Sequence, residues 1–84
     1  MGSEEANPRW THLQGQYLAF IHTYSKVNGM APAEADMQRY FRVTPPAVHR
    51  MVLALEERGL LQRTPGKGRS IRLLVPSKEV PPLE

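Results

Sequence analysis

Apolar and polar positions along the 84 residues change period once, at Gly59. Before it they recur with helical spacing; after it they alternate. At about 100° per residue, Leu13, Tyr17, Phe20, Ile21, Tyr24 and Val27 fall within an arc of about 120°, with Gly15, Ala19, His22 and Lys26 opposite. That pattern predicts a first helix. Thr11-His12-Leu13-Gln14 fits a capping box at its start, and Asn28-Gly29 ends it, with Gly29 suited to the left-handed position after the last turn. Gly15 in the second turn is a poor helix former, costing about 1 kcal/mol against Ala. A short second helix is predicted over 33–41, after Ala31-Pro32. Glu34 and Asp36 stand in its first turn, where the helix dipole favours anions, and Ala33, Met37, Tyr40 and Phe41 are its apolar positions.

A break of a few residues, Arg42-Val43, leads to a third helix. Thr44-Pro45-Pro46 reads as its cap and first two positions: both prolines lack an N–H at the end where helical N–H groups have no partner, and Thr44 can cap Ala47. Val48, Met51, Val52 and Leu55 share an arc of about 100° and form the predicted buried stripe. Pro46, His49, Arg50, Leu53 and Glu57 point away from it. Beyond Gly59, residues 60–64 and 70–75 read as two strands joined by the Gly-rich loop Pro65-Gly66-Lys67-Gly68-Arg69. Ile71, Leu73 and Val75 share one face; Arg72 and Leu74 share the other. Residues 1–8 read as a loose, flexible N-terminal arm. Residues 76–84 carry three prolines in nine positions and are expected to be an extended or disordered tail. The folded unit is therefore placed at 9–75.

Helix, helix, short turn, helix and basic hairpin make a mainly α fold with a small β-hairpin (α+β). It is the order of a three-helix winged helix-turn-helix, whose second motif helix lies in the major groove of DNA. Charge sharpens this picture. All eleven Lys and Arg lie within residues 9–78 with only four acids, a body of +7 in a chain of +3. Nine of the eleven lie from Arg39 onward. Such a body suits a polyanion. The chain is one small domain, at about 100–200 residues per domain, and leaves no room for an elaborate substrate pocket. With no cysteine there is no disulfide, thiol nucleophile or Cys-containing zinc site. His12 and His22 are ten residues apart and face differently, so neither metal nor cofactor is expected. Glu56 and Glu57 diverge on their helix, and Ser70 has no His-Asp constellation, so no enzyme is expected. Gly66-Lys67-Gly68 lacks the spacing of a nucleotide loop. No apolar run of about 18 residues and no N-terminal h-region argue against membrane or export, and a cytoplasmic protein is expected.

Several pieces of the chain resemble the LexA repressor DNA-binding domain family. They are Thr11-x-x-Gln14, Tyr17-Leu18-x-Phe20-Ile21, Asn28-Gly29-Met30-Ala31-Pro32, Thr44-Pro45-x-Ala47, Leu55-Glu56-Glu57-Arg58-Gly59-Leu60 and Arg69-Ser70-Ile71-Arg72-Leu73-Leu74. The likeness runs from 11 to 75, with one residue missing before the third helix. It implies sequence-specific binding of duplex DNA and transcriptional repression in a bacterial cytoplasm, at the nucleoid. The family's C-terminal self-cleaving domain, which carries its main dimer interface, has no counterpart in these 84 residues. A monomer or weak homodimer without autoproteolysis is therefore expected. The family's outward residues on the third helix are more polar and acidic than those here, so its target sequence does not carry over.

The candidate recognition helix, about 45–58, offers Thr44, Pro46, Ala47, His49, Arg50 and Leu53. Arg50 is the first choice for reading a base, because arginine can bond G O6 and N7 together. His49 suits a base or a phosphate; Pro46 and Ala47 suit a thymine methyl or simply close approach; Thr44 suits a phosphate. Leu53 on an outer face is unexplained by the pattern. The turn and the wing, 61–75, offer Arg39, Arg42, Arg63, Lys67, Arg69 and Arg72 for phosphates. Arg39 can instead pair with Glu34 or Asp36 on its own helix. The five helix-borne aromatics have core spacing rather than that of a base-stacking platform. A different class of function stays open: winged helices also grip proteins, and Leu53 with Val80-Pro81-Pro82-Leu83 would be the contact elements of a protein-interaction module.

Overall fold

A computed structural model describes residues 9–84; the N-terminal arm expected over 1–8 lies outside them. Three helices, α1 (His12–Asn28), α2 (Glu34–Phe41) and α3 (Pro45–Glu57), precede two short antiparallel strands, β1 (Leu61–Gln62) and β2 (Arg72–Leu73). This is a winged helix-turn-helix, α+β as expected. The helix starts follow the predicted chemistry. Gln14 N–H donates to Thr11 Oγ1 (3.1 Å), while Thr11 N–H donates to Gln14 Oε1 (2.9 Å). Each such cap contributes about 1 kcal/mol. Ala47 N–H donates to Thr44 Oγ1 at 3.3 Å. At α2 the cap residue is Ala33, which has no side-chain oxygen, and its own N–H donates to Asp36 Oδ2 (2.8 Å).

The core gathers Leu18 and Ile21 of α1, Met37 of α2, and Val48, Val52 and Leu55 of α3 under Leu60, Leu61 and Val75. The α3 stripe is the predicted one, with Met51 half-buried. Tyr17 stacks on Phe41 (centroids 4.1 Å), and Phe20, Tyr24 and Tyr40 complete an aromatic cluster between α1 and α2. These rings pack with one another, as their helical spacing implied. In the wing, Leu61 faces Leu73 and Gln62 faces Arg72. Only two residues per strand hold ladder geometry, fewer than the predicted runs, and the rest of 63–71 is turn held by side chains.

Two expectations need correction. On α1, Leu13 and Val27 are exposed, whereas Gly15, Gln16 and Ala19 are buried. A single apolar arc predicts one covered face; the N-terminal half of α1 is covered on both sides, by the other helices and by the tail. The tail is the second correction. Residues 77–79 form one 3-10 turn, closed by Glu79 N–H to Pro76 O (2.9 Å), and the chain then runs extended with Val80 and Leu83 packed against the core. Its prolines do keep it out of helix and ladder. They also leave it little conformational entropy to lose, so a few apolar contacts hold it in place.

Candidate nucleic-acid interface

The two motif helices present α3 with Pro46, His49, Arg50 and Leu53 all exposed along one side. The two prolines and the Thr44 cap leave little unsatisfied backbone at its start. The Thr44 oxygen accepts from Ala47, and its own O–H proton stays free to donate. His49 Nδ1 lies 3.2 Å from Glu34 Oε2, at the first position of α2. A carboxylate only accepts, so a ring proton sits on Nδ1 toward Glu34 and Nε2 turns outward. No hydrogen bond or ion pair among the described residues engages the Arg50 guanidinium. Leu53 keeps 39% of its surface exposed.

The seven cations proposed from sequence divide by what they touch. Arg39 pairs with Asp36 one turn earlier, the intrahelical alternative. Arg63 packs with its side chain 18% exposed and its Nε 3.3 Å from Glu56 of α3. Arg72 donates across the hairpin to Gln62. Arg69 is tied most heavily. Its Nη1 lies 3.1 Å from Tyr24 Oη, 3.2 Å from Ala31 O and 3.2 Å from Asp36 Oδ2. Asp36 thus receives Ala33 N–H, Arg39 and Arg69 together. The Ala33 N–H first, then the charges of Arg69 and Arg39, hold its carboxyl below the usual carboxylate range against the opposing effect of burial. Arg42, Arg50 and Lys67 remain, with no such partner among the described residues. One is in the turn between α2 and α3, one on α3 and one at the wing tip.

The wing loop is shaped by Ser70. Its hydroxyl oxygen accepts from Thr64 N–H (2.9 Å) and donates to Lys67 O (2.8 Å), while Lys67 N–H donates to Thr64 O (3.0 Å). Lys67 is thereby carried on a tight, pinned turn. Between this loop and the starts of α2 and α3 lies a cleft of about 320 Å³, bordered by Glu34, His49, Arg63, Lys67 and Arg69. Glu34, Tyr24 and Gln62 enter the site through partners 10 to 45 residues away. No local spacing signals such pairings. Among the described residues no group of three or more His, Asp or Glu could hold a metal ion, and no helix is long and apolar enough to cross a membrane.

Similarity to known proteins agrees with this geometry. The chain is 41% identical over 64 residues to the LexA repressor of Thermosipho africanus (strain TCF52B), covering 76% of this chain and 32% of the relative. It is 35% identical over 63 residues to the LexA repressor of Thermotoga maritima, again covering 32% of it. With the LexA repressor of Bartonella quintana it shares 34% over 65 residues, 27% of that protein. The chain thus spans about a third of the length of these relatives. The LexA DNA binding domain model matches residues 8–70. By that match, over three quarters of its length, this chain belongs to the LexA DNA-binding domain family.

Proposed function

We propose that this protein binds duplex DNA as a sequence-selective transcriptional repressor, with α3 in the major groove and the wing along the phosphate backbone. The observation that carries the reading is the exposed side of α3. It bears an uncommitted arginine, Arg50, beside a histidine oriented by Glu34, and uncommitted cations flank it at Arg42 and Lys67. Arg50 reads a guanine edge. His49 presents its outward Nε2 to a base edge or a phosphate. Pro46 and Ala47 let the helix approach, with Leu53 further along the same side. Arg42, Lys67 and the Thr44 hydroxyl meet phosphates. Arg39, Arg63, Arg69 and Arg72 contribute field and shape the wing from within. The LexA repressors named above share this domain, and their repressor activity is the model for this one. No cofactor, metal or catalytic group takes part, and the setting is the bacterial cytoplasm.

Selection of bound sequences from a random duplex pool tests the reading. An enriched motif whose guanine preference disappears in Arg50→Ala supports it. A single half-site indicates a monomer; two half-sites one helical turn apart indicate a dimer on DNA. No enrichment, together with no change of α3 or wing amide resonances on adding duplex at low salt, overturns it.

A further inference from the structure

Residues 80–84 run back across the N-terminal half of α1, and one side chain grips their backbone. Gln16 Nε2 donates to Pro82 O (3.0 Å), and Gln16 Oε1 accepts from Glu84 N–H (2.8 Å). One amide thus satisfies a carbonyl and the N–H two residues on, which fits only an extended peptide. Tyr40 of α2 adds a third backbone contact, its O–H donating to Glu84 O (2.6 Å). Gln16 is 7% exposed, and the tail supplies every hydrogen bond its amide makes among the described residues.

The apolar half of the site is as specific. A Cβ placed on Gly15 would stand 2.9 Å from Trp10 Nε1 and 3.2 Å from Pro81 Cγ. The missing side chain is therefore what lets Trp10 and Pro81 lie down on the helix. Val80 has φ −74 and ψ 128, close to polyproline II. In that conformation, at about three residues per turn, Val80 and Leu83 fall on one face. Both pack against the core. Acidic side chains flank the segment: Glu79 pairs with Arg9, and Glu84 Oε1 lies 3.1 Å from His12 Nε2.

We propose that Trp10, Gly15, Gln16 and Tyr40 form a binding site for an extended, proline-containing peptide, with residues 80–84 of this same chain as its occupant. The ligand chemistry is an apolar residue, two prolines and a second apolar residue between acidic flanks. The site uses none of the outward residues of α3 and none of the wing loop, so it works independently of the DNA reading. Tethering holds the segment at an effective concentration in the millimolar range, which keeps the site closed in cis.

The full chain carrying Pro81→Ser with Leu83→Ser disables the occupant and leaves the site intact. Its Trp10 indole N–H resonance shifts toward the solvent-exposed position, while α3 and wing amides stay in place. A synthetic peptide of residues 77–84, added at millimolar concentration, restores the native Trp10 resonance. It fails to do so when Gln16→Ala is added to the double variant. An unchanged Trp10 resonance in the double variant, or equal restoration by a scrambled peptide of the same composition, overturns the proposal. If the double variant does not fold, hydrogen exchange on the unaltered chain decides. A Glu84 amide slowed at least tenfold relative to an unstructured peptide supports the site, and an unprotected one overturns it.

Discussion

The division of cations into committed and uncommitted sets makes a quantitative prediction for salt dependence. Each phosphate neutralised releases counterions, so log K falls against log salt with a slope of about −0.9 per contact. If every turn and wing candidate met a phosphate, Arg39, Arg42, Arg63, Lys67, Arg69 and Arg72 would give a slope of about −5 per domain. Of these, only Arg42 and Lys67 lack an internal partner among the described residues, which gives about −2. Between about 50 and 200 mM salt that difference separates a loss of about 12-fold in affinity from one of about 2,000-fold. Anisotropy titration of a labelled duplex at a series of KCl concentrations measures it, normalised to domains bound. Lys67→Ala is expected to lower the slope by about 0.9 without changing stability. Arg69→Ala is expected to leave the slope near the unaltered value and to weaken the fold, because Arg69 is spent on Asp36, Tyr24 and Ala31. A slope near −5, or an equal fall in slope for both variants, would refute the assignment.

Other consequences follow from single residues. Gly15→Ala gains about 1 kcal/mol of helix propensity, yet it is expected to lower the melting temperature, because its Cβ meets Trp10 and Pro81 below contact distance. Asp36→Asn is expected to cost about 1–3 kcal/mol in urea unfolding at neutral pH, as a buried charged acceptor is lost. Asp36 has a lowered pKa in the folded state, so its contribution is complete above the ordinary carboxylate range and is lost as pH falls through the lowered value. The acid limb of the stability curve should therefore flatten in Asp36→Asn. Arg42→Gly relieves a left-handed residue worth about 1–2 kcal/mol and adds about 0.5–1 kcal/mol of chain entropy. It is expected to hold or raise the urea midpoint while weakening DNA binding.

What the sequence made legible was whatever local spacing encodes. The Thr11 and Thr44 caps, the Gly29 and Gly59 stops, the α3 stripe and its outward side, and the Arg39–Asp36 pair all follow from residues within one or two turns of each other. The Arg69 attachments, the His49–Glu34 pair and the tail seat follow from chain closure over 15 to 68 residues, for which sequence spacing carries no sign. One oddity in the sequence pointed to the tail seat. Gly15 in a helix interior is unfavourable until Trp10 and Pro81 are seen to need the space. Gln16 gave no such sign: its burial, seen only in the structure, is what demands a hydrogen-bonding partner, and the tail backbone is that partner.

Among the described residues, the two non-glycine residues with positive φ are both arginines, Arg42 (φ 57) and Arg69 (φ 56). Each occupies a conformation that glycine would take at lower cost. Strain of this kind persists where the surroundings over-determine it. For Arg69 the cause is visible: the left-handed residue sits where its guanidinium reaches Asp36 and Tyr24, and it fixes the wing against the first two helices. Arg42 has no comparable attachment among the described residues. Its N–H closes α2 onto Gln38 O, a role any residue except proline could fill, so nothing among the described residues requires an arginine there. A cation at a strained position with no internal partner among the described residues fits the proposal that Arg42 meets a phosphate. In a helix-turn-helix the first motif helix crosses the phosphate backbone, and Arg42 stands at the end of that helix. Arg42 is therefore the residue at which stability and binding should move in opposite directions, and measuring both on Arg42→Gly separates the internal role of these cations from the external one.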